Sequence, residues 1–149
     1  MTLYKHRKVP VTITASADAL TDAEHAGCIV LLDRAAGQAI TLPAATGTGD
    51  EYTLIVKTTI TSNTTTIKAA SADDSFQGTA KLNQDSADTI AQFAAVAGTS
   101  DTITFNGSTT GGIVSAVVKL TDIYEGRWQV EIESEATDTD ATPFSATVS

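Results

Sequence analysis

The sequence predicts an all-β fold: an antiparallel β-sandwich, jelly-roll-like, or a β-barrel, with one short helix near residues 17–26. Three observations predict it. Threonine, at 26 of 149 residues, is the commonest residue, and alanine follows at 23. Threonine and valine suit a pleated strand, whereas threonine is a poor interior residue for a helix. Short apolar or alternating runs recur with turn residues every 8–12 positions, the spacing of a sandwich or barrel. Finally, only 5% of the residues are aromatic although 42% are hydrophobic. The apolar content is therefore mostly small, and a thin core is expected.

The elements follow in order. Residues 9–14 alternate Val9, Val11 and Ile13 with Pro10, Thr12 and Thr14. Pro10 cannot donate to a ladder, so this strand lies at an edge or begins there. Thr21 and Glu24 have capping-box spacing, and Gly27 stands where a helix C′ residue is expected, which gives the one short helix. Residues 28–33 form a continuous apolar run, the pattern of a buried strand. Residues 34–38 read as a hairpin turn into a strand at 39–42 that Pro43 ends. Residues 44–49 form a loop, 52–60 the next strand, 61–63 a turn, and 64–70 another strand. Residues 76–82 make a weak strand interrupted by Gly78, and 89–96 read equally as strand or short helix. Residues 101–105 alternate and are followed by Asn106-Gly107, a turn pair. Residues 113–120 make a further strand. Trp128, Val130 and Ile132 share one face against Gln129, Glu131 and Glu133, the clearest half-buried strand in the chain. Residues 134–142 read as an acidic linker and 143–148 as a terminal segment.

Charge divides the chain. The formal net charge is −9, with 9 basic and 18 acidic residues. Lys5, Arg7 and Lys8 fall in the first eight positions, so the remainder carries −12. The expected organisation is a basic N-terminal arm, residues 1–10, joined to a single β domain, residues 11–149. Such an acidic body argues against nucleic-acid and anionic-membrane partners, which need a positive face. No apolar run is long enough for a transmembrane helix, and the first residues lack the apolar stretch of a secretory signal.

Catalytic chemistry finds little foothold. The only histidines are His6 and His25, and the only cysteine is Cys28. His25 closes the short helix and reads as a structural or capping residue. Cys28 lies in an apolar run and reads as an inert buried thiol. Of the paired acids, Asp73-Asp74 point apart, Glu131 and Glu133 share a solvated strand face, and Asp138 and Asp140 lie in the linker. None has the surroundings of a glycosidase pair or a calcium loop. Gly47-Thr48-Gly49 lacks the lysine and helix of a phosphate loop, and Gly107, Gly111 and Gly112 read as turns. No enzyme activity, cofactor or metal is expected.

Several segments taken in order carry a resemblance. They are Ala19-Leu20-Thr21 through His25-Ala26-Gly27, Leu31-Leu32-Asp33-Arg34-Ala35-Ala36-Gly37, and Ile40-Thr41-Leu42-Pro43-Ala44-Ala45-Thr46-Gly47-Thr48-Gly49. Thr61-Ser62-Asn63 follows, then Asp101 through Phe105 with Asn106-Gly107-Ser108-Thr109-Thr110-Gly111-Gly112. Last come Leu120-Thr121-Asp122-Ile123 with Gly126-Arg127-Trp128, and Ala141-Thr142-Pro143-Phe144-Ser145-Ala146. Across residues 16–146 the chain resembles small structural proteins of tailed bacteriophages, in particular the head decoration, or cement, proteins. The resemblance implies a β-sandwich working as a homotrimer on the outer surface of the capsid, bound to the major capsid protein, with no catalytic residues. The arm lies outside the resembling pattern. Its Lys5, Arg7 and Lys8, with Leu3 and Tyr4 as apolar anchors, are the expected capsid-docking residues. The alternative from another class is a receptor- or glycan-binding module of a tail or head fibre. A fibre needs a long repetitive stalk or coiled coil, which this sequence lacks. A polysaccharide-degrading enzyme is a weaker rival, for want of an acid pair.

Overall fold

The computed structural model describes residues 9–148. The first half of the chain winds between two sheets. Strands β1 (Val11–Ile13), β3 (Ile29–Leu32) and β5 (Glu51–Val56) lie in one sheet, while β2 (Ala17–Ala19), β4 (Ala39–Thr41) and β6 (Thr65–Lys68) alternate with them in the other. Each return to a sheet passes through the opposite sheet, so successive strands within a sheet run in the same direction. The β1–β3, β3–β5, β2–β4 and β4–β6 pairs are all parallel.

The second half closes this coil mostly with antiparallel pairs. Strands β7 (Ser75–Gln84) and β8 (Thr89–Ala94) form one hairpin, and β10 (Val117–Tyr124) and β11 (Arg127–Ala136) another. Strands β9 (Thr102–Phe105) and β12 (Phe144–Ser145) extend the second sheet. The result is a seven-stranded sheet, β1-β3-β5-β10-β11-β7-β8, and a five-stranded sheet, β12-β9-β6-β4-β2.

One hydrophobic cluster takes side chains from both sheets, so they stack as a sandwich. Ile40, Ile67, Ile103 and Phe105 from the smaller sheet join Val30, Leu54, Phe76 and Val130 from the larger, all fully buried. Trp128 packs edge-on against Tyr52, with ring centroids 5.6 Å apart and an interplanar angle of 73°.

The all-β class therefore stands, and several finer expectations are corrected. The pairing is mixed rather than antiparallel, with five parallel and five antiparallel strand pairs. The helix α1 is the single turn Asp22–His25, capped by Thr21, whose side chain accepts from the Glu24 N–H; residues 17–19 ahead of it are a strand. Gly27 takes the left-handed conformation, at φ +65°, that the C′ position requires. Residues 34–38 do not make a hairpin, because β3 and β4 lie in different sheets. Residues 134–136 continue β11 rather than starting a linker, because Ser134 and Ala136 extend its buried face. Residues 89–94 are a strand. The core is not built of small residues either. Of the 26 buried apolar residues among those described, five are alanine, and only two threonines, Thr65 and Thr102, are buried. Threonine is instead the residue of the outer faces and loops.

Candidate interaction surfaces

Among the described residues the seven-stranded sheet is the larger of the two, and its outward face is a broad regular surface. Strand registers align its side chains in rows. One row runs Leu31, Ile55, Val117, Glu133, Lys81, Gln92 from β3 to β8. The next runs Ile29, Thr53, Lys119, Glu131, Thr79, Ala94. At the β3–β5–β10 end the first row is apolar and Thr53 and Lys119 share the face with it: Ile29 is 42% exposed, and Leu31, Ile55 and Val117 are half-buried. The middle is charged, with Glu133 beside Lys81 and Lys119 beside Glu131 across neighbouring strands. These four side chains surround a shallow cavity of about 350 Å³.

The chain enters this sheet through Val9 and Pro10, both exposed, which lead into the edge strand β1. β1 lies beside β3, whose outward residues are Ile29 and Leu31. The expected docking residues Leu3, Tyr4, Lys5, Arg7 and Lys8 lie outside the described residues.

The loop at residues 44–49 is fixed by two buried carboxylates. Asp122 is 2% exposed. It accepts from the backbone N–H groups of Thr46, Gly47 and Thr48 at 3.0, 2.7 and 3.2 Å, and from the Thr48 hydroxyl at 3.1 Å. Burial works to raise its pKa. The three N–H groups and the hydroxyl outweigh burial and hold the carboxyl below its ordinary value. Consecutive N–H groups of this kind form an anion-binding concavity. Here the protein's own carboxylate fills it, which accounts for a glycine-rich segment without phosphate-loop chemistry.

Asp74 accepts from the Ala45 N–H at 3.2 Å. Its pKa is raised, first by burial and then by the charges of Asp73 and Asp122, against the lowering influence of the Ala45 N–H and Arg127. Beside this loop lies an open cleft of about 690 Å³ lined by Asp73, Asp74, Tyr124, Glu125 and Arg127 among others. Asp73 is exposed and Asp74 buried, and both line this cleft, although the sequence led us to expect adjacent acids to point apart.

His25 is buried, and its Nδ1 lies 3.0 Å from the Thr21 N–H, a local contact that closes the helical turn. Cys28 is half-buried, not enclosed as expected; it precedes β3, which begins at Ile29. Glu131 and Glu133 are exposed on the outer face. Asn106 accepts from the Ser108 and Thr110 N–H groups and folds the 106–112 loop back on itself. Asp101 accepts from Thr147 and Val148 and so pins the C-terminal segment.

Sequence reasoning missed the Asp122 cage and the outward apolar row. The strand expected at residues 113–120 stopped two positions short of Asp122. The uninterrupted run Ile29-Val30-Leu31-Leu32 concealed which of its residues face out. Comparison with protein-family models, curated proteins and solved structures finds no match.

Proposed function

We propose that this chain is a capsid decoration protein of a tailed bacteriophage, assembling as a homotrimer on the outer head surface and bridging neighbouring major capsid subunits. The observation that carries this reading is the juxtaposition at one end of the sandwich. The exposed Ile29 and the half-buried Leu31, Ile55 and Val117 lie on the outer face near the edge strand β1, which the basic segment precedes in sequence. An apolar row on the outer face, in a chain whose first eight residues hold three cations, suits attachment to an acidic protein surface: apolar burial supplies affinity, and charge supplies steering and orientation. The rigid sandwich presents this end as a fixed platform. The acidic remainder of the chain favours solubility where many copies crowd a shell.

Shells of the encoding phage, stripped of decoration and incubated with full-length or residue 9–149 protein, test the reading. Saturable binding of hundreds of copies per shell is expected for the full chain, with weakened binding for the truncation. A stoichiometry of three to eighteen copies per virion, confined to the tail, would replace it with the fibre-module alternative.

A further inference from the structure

Among the described residues the sandwich has four edge strands, and three are poor templates for pairing. β1 has three residues and follows Pro10; β2 has three residues and carries Asp18; β12 has two. The fourth, β8, has six residues, Thr89-Ile90-Ala91-Gln92-Phe93-Ala94, with no proline and no charge. The uncharged stretch extends through Ser100. Natural edges are usually blunted by charge, proline or brevity, and β8 has none of these. Ile90, 64% exposed, and Val96, 62% exposed, add apolar surface along it.

The backbone phase of β8 is fixed by its pairing with β7. The Ala95 N–H donates to Gly78 O at 3.0 Å, just beyond the strand. By alternation, Phe93, Ala91 and Thr89 direct their backbone groups to β7, and Ile90, Gln92 and Ala94 direct theirs to the free edge. We infer that this edge pairs antiparallel with β8 of a second copy about a twofold axis at Gln92, joining two seven-stranded sheets.

In that register Gln92 faces its own copy, Ile90 faces Ala94 of the second copy, and each outward N–H and C=O has a partner. Faces match as well: Ile90, Gln92 and Ala94 all lie on the outer face, and Ala91 meets Phe93 on the inner. Charge selects the occupant. Lys81 stands directly across from Gln92 on β7, so a basic segment such as residues 1–8 laid along β8 would meet a like charge. A second β8 brings none. The nearest acids, Asp85 and Asp88, fall at opposite ends of the antiparallel pair. For a chain of net charge −9, self-association is least opposed at an uncharged strand.

The pairing needs no shell, so purified full-length protein tests it separately from the decoration reading. By sedimentation, the wild-type assembly is expected to have at least twice the mass of the Gln92→Lys assembly, with both variants equally folded by circular dichroism. Cysteine substitutions in a Cys28→Ser background read the register. Gln92→Cys on the axis, with Cα atoms about 5.5 Å apart, is expected to form a disulfide-linked pair on mild oxidation. Ile90→Cys, displaced from its own copy by about 13 Å, is expected not to. Deleting residues 2–8 is expected to leave the association unchanged. Equal mass for wild type and Gln92→Lys, with no cross-linking of the Gln92→Cys variant, would overturn the inference. Loss of association on deleting residues 2–8 would overturn it in favour of the arm as occupant.

Discussion

Asp122 shows how one carboxylate can set a loop. Replacing it with asparagine puts an amide donor among three N–H groups that need an acceptor. Asp122→Asn is therefore expected to cost about 1.5–3 kcal/mol at pH 7 by urea denaturation, the range for charged hydrogen bonds. Its pH signature follows from direction. The folded carboxyl titrates below its unfolded value, so its contribution is present above about pH 4 and is lost as pH falls through the depressed folded value. The gap between wild type and variant should close in acid. Asp74 behaves oppositely. Its folded pKa is raised, so its contribution is complete only below the ordinary carboxylate value and is lost as pH rises through the folded value. Asp74→Asn keeps an oxygen for the Ala45 N–H and removes a buried charge. Its urea midpoint at pH 7 should equal or exceed that of wild type, and a clear fall would show that the charge is needed. Neither role could be read from sequence. An aspartate that caps a loop 75 residues away has no local pattern, whereas the Thr21–Glu24 cap, closed within one turn, was legible.

At the scale of elements, β11 was the most legible. Its alternation continues through Trp128, Val130, Ile132, Ser134 and Ala136, all buried. Trp128→Ala is expected to destabilise by about 3–5 kcal/mol in thermal or urea unfolding. A loss under about 1 kcal/mol would contradict its position in the core. β7 was the least legible, because a glycine inside a strand pattern, as at Gly78, reads as an interruption. It is instead a condition of the strand. At φ +135°, a Cβ there would overlap the Val130 carbonyl of the parallel neighbour. Gly78→Ala combines backbone strain with overpacking, each about 1–3 kcal/mol, and should destabilise by about 2–6 kcal/mol. The supposed hairpin at residues 34–38 failed for a related reason: Gly37 announces a turn and says nothing of which sheet receives the next strand.

For the whole molecule, the fold class was legible because composition and turn spacing report on strands wherever they pair. The winding of β1 to β6 was not, because parallel partners lie 19 to 27 residues apart with no local mark. The surfaces proposed for docking were partly legible, since the basic segment is plain in sequence and the apolar row needed the strand registers. If both parts act together, replacing Lys5, Arg7 and Lys8 with serine should lower shell affinity and flatten its salt dependence. Exposed charges are screened within about 10 Å at 0.1 M salt. A salt response identical to wild type would remove the cations from the docking role.

The β10–β11 hairpin bridges the larger sheet, with β5 on one side and β7 on the other. Its consequence is temporal. Residues 51–55 pair with 117–121, and residues 75–84 with 127–136, so neither flank has its central partner until most of the chain has left the ribosome. The coil of β1 to β6 and the β7–β8 hairpin must wait with their inner edges unpaired. Such long-range closure belongs to the slow end of folding rates, milliseconds to seconds. Synthesis at about 5–20 residues per second leaves those edges open for several seconds in every nascent chain, at the stage when neighbouring chains are closest.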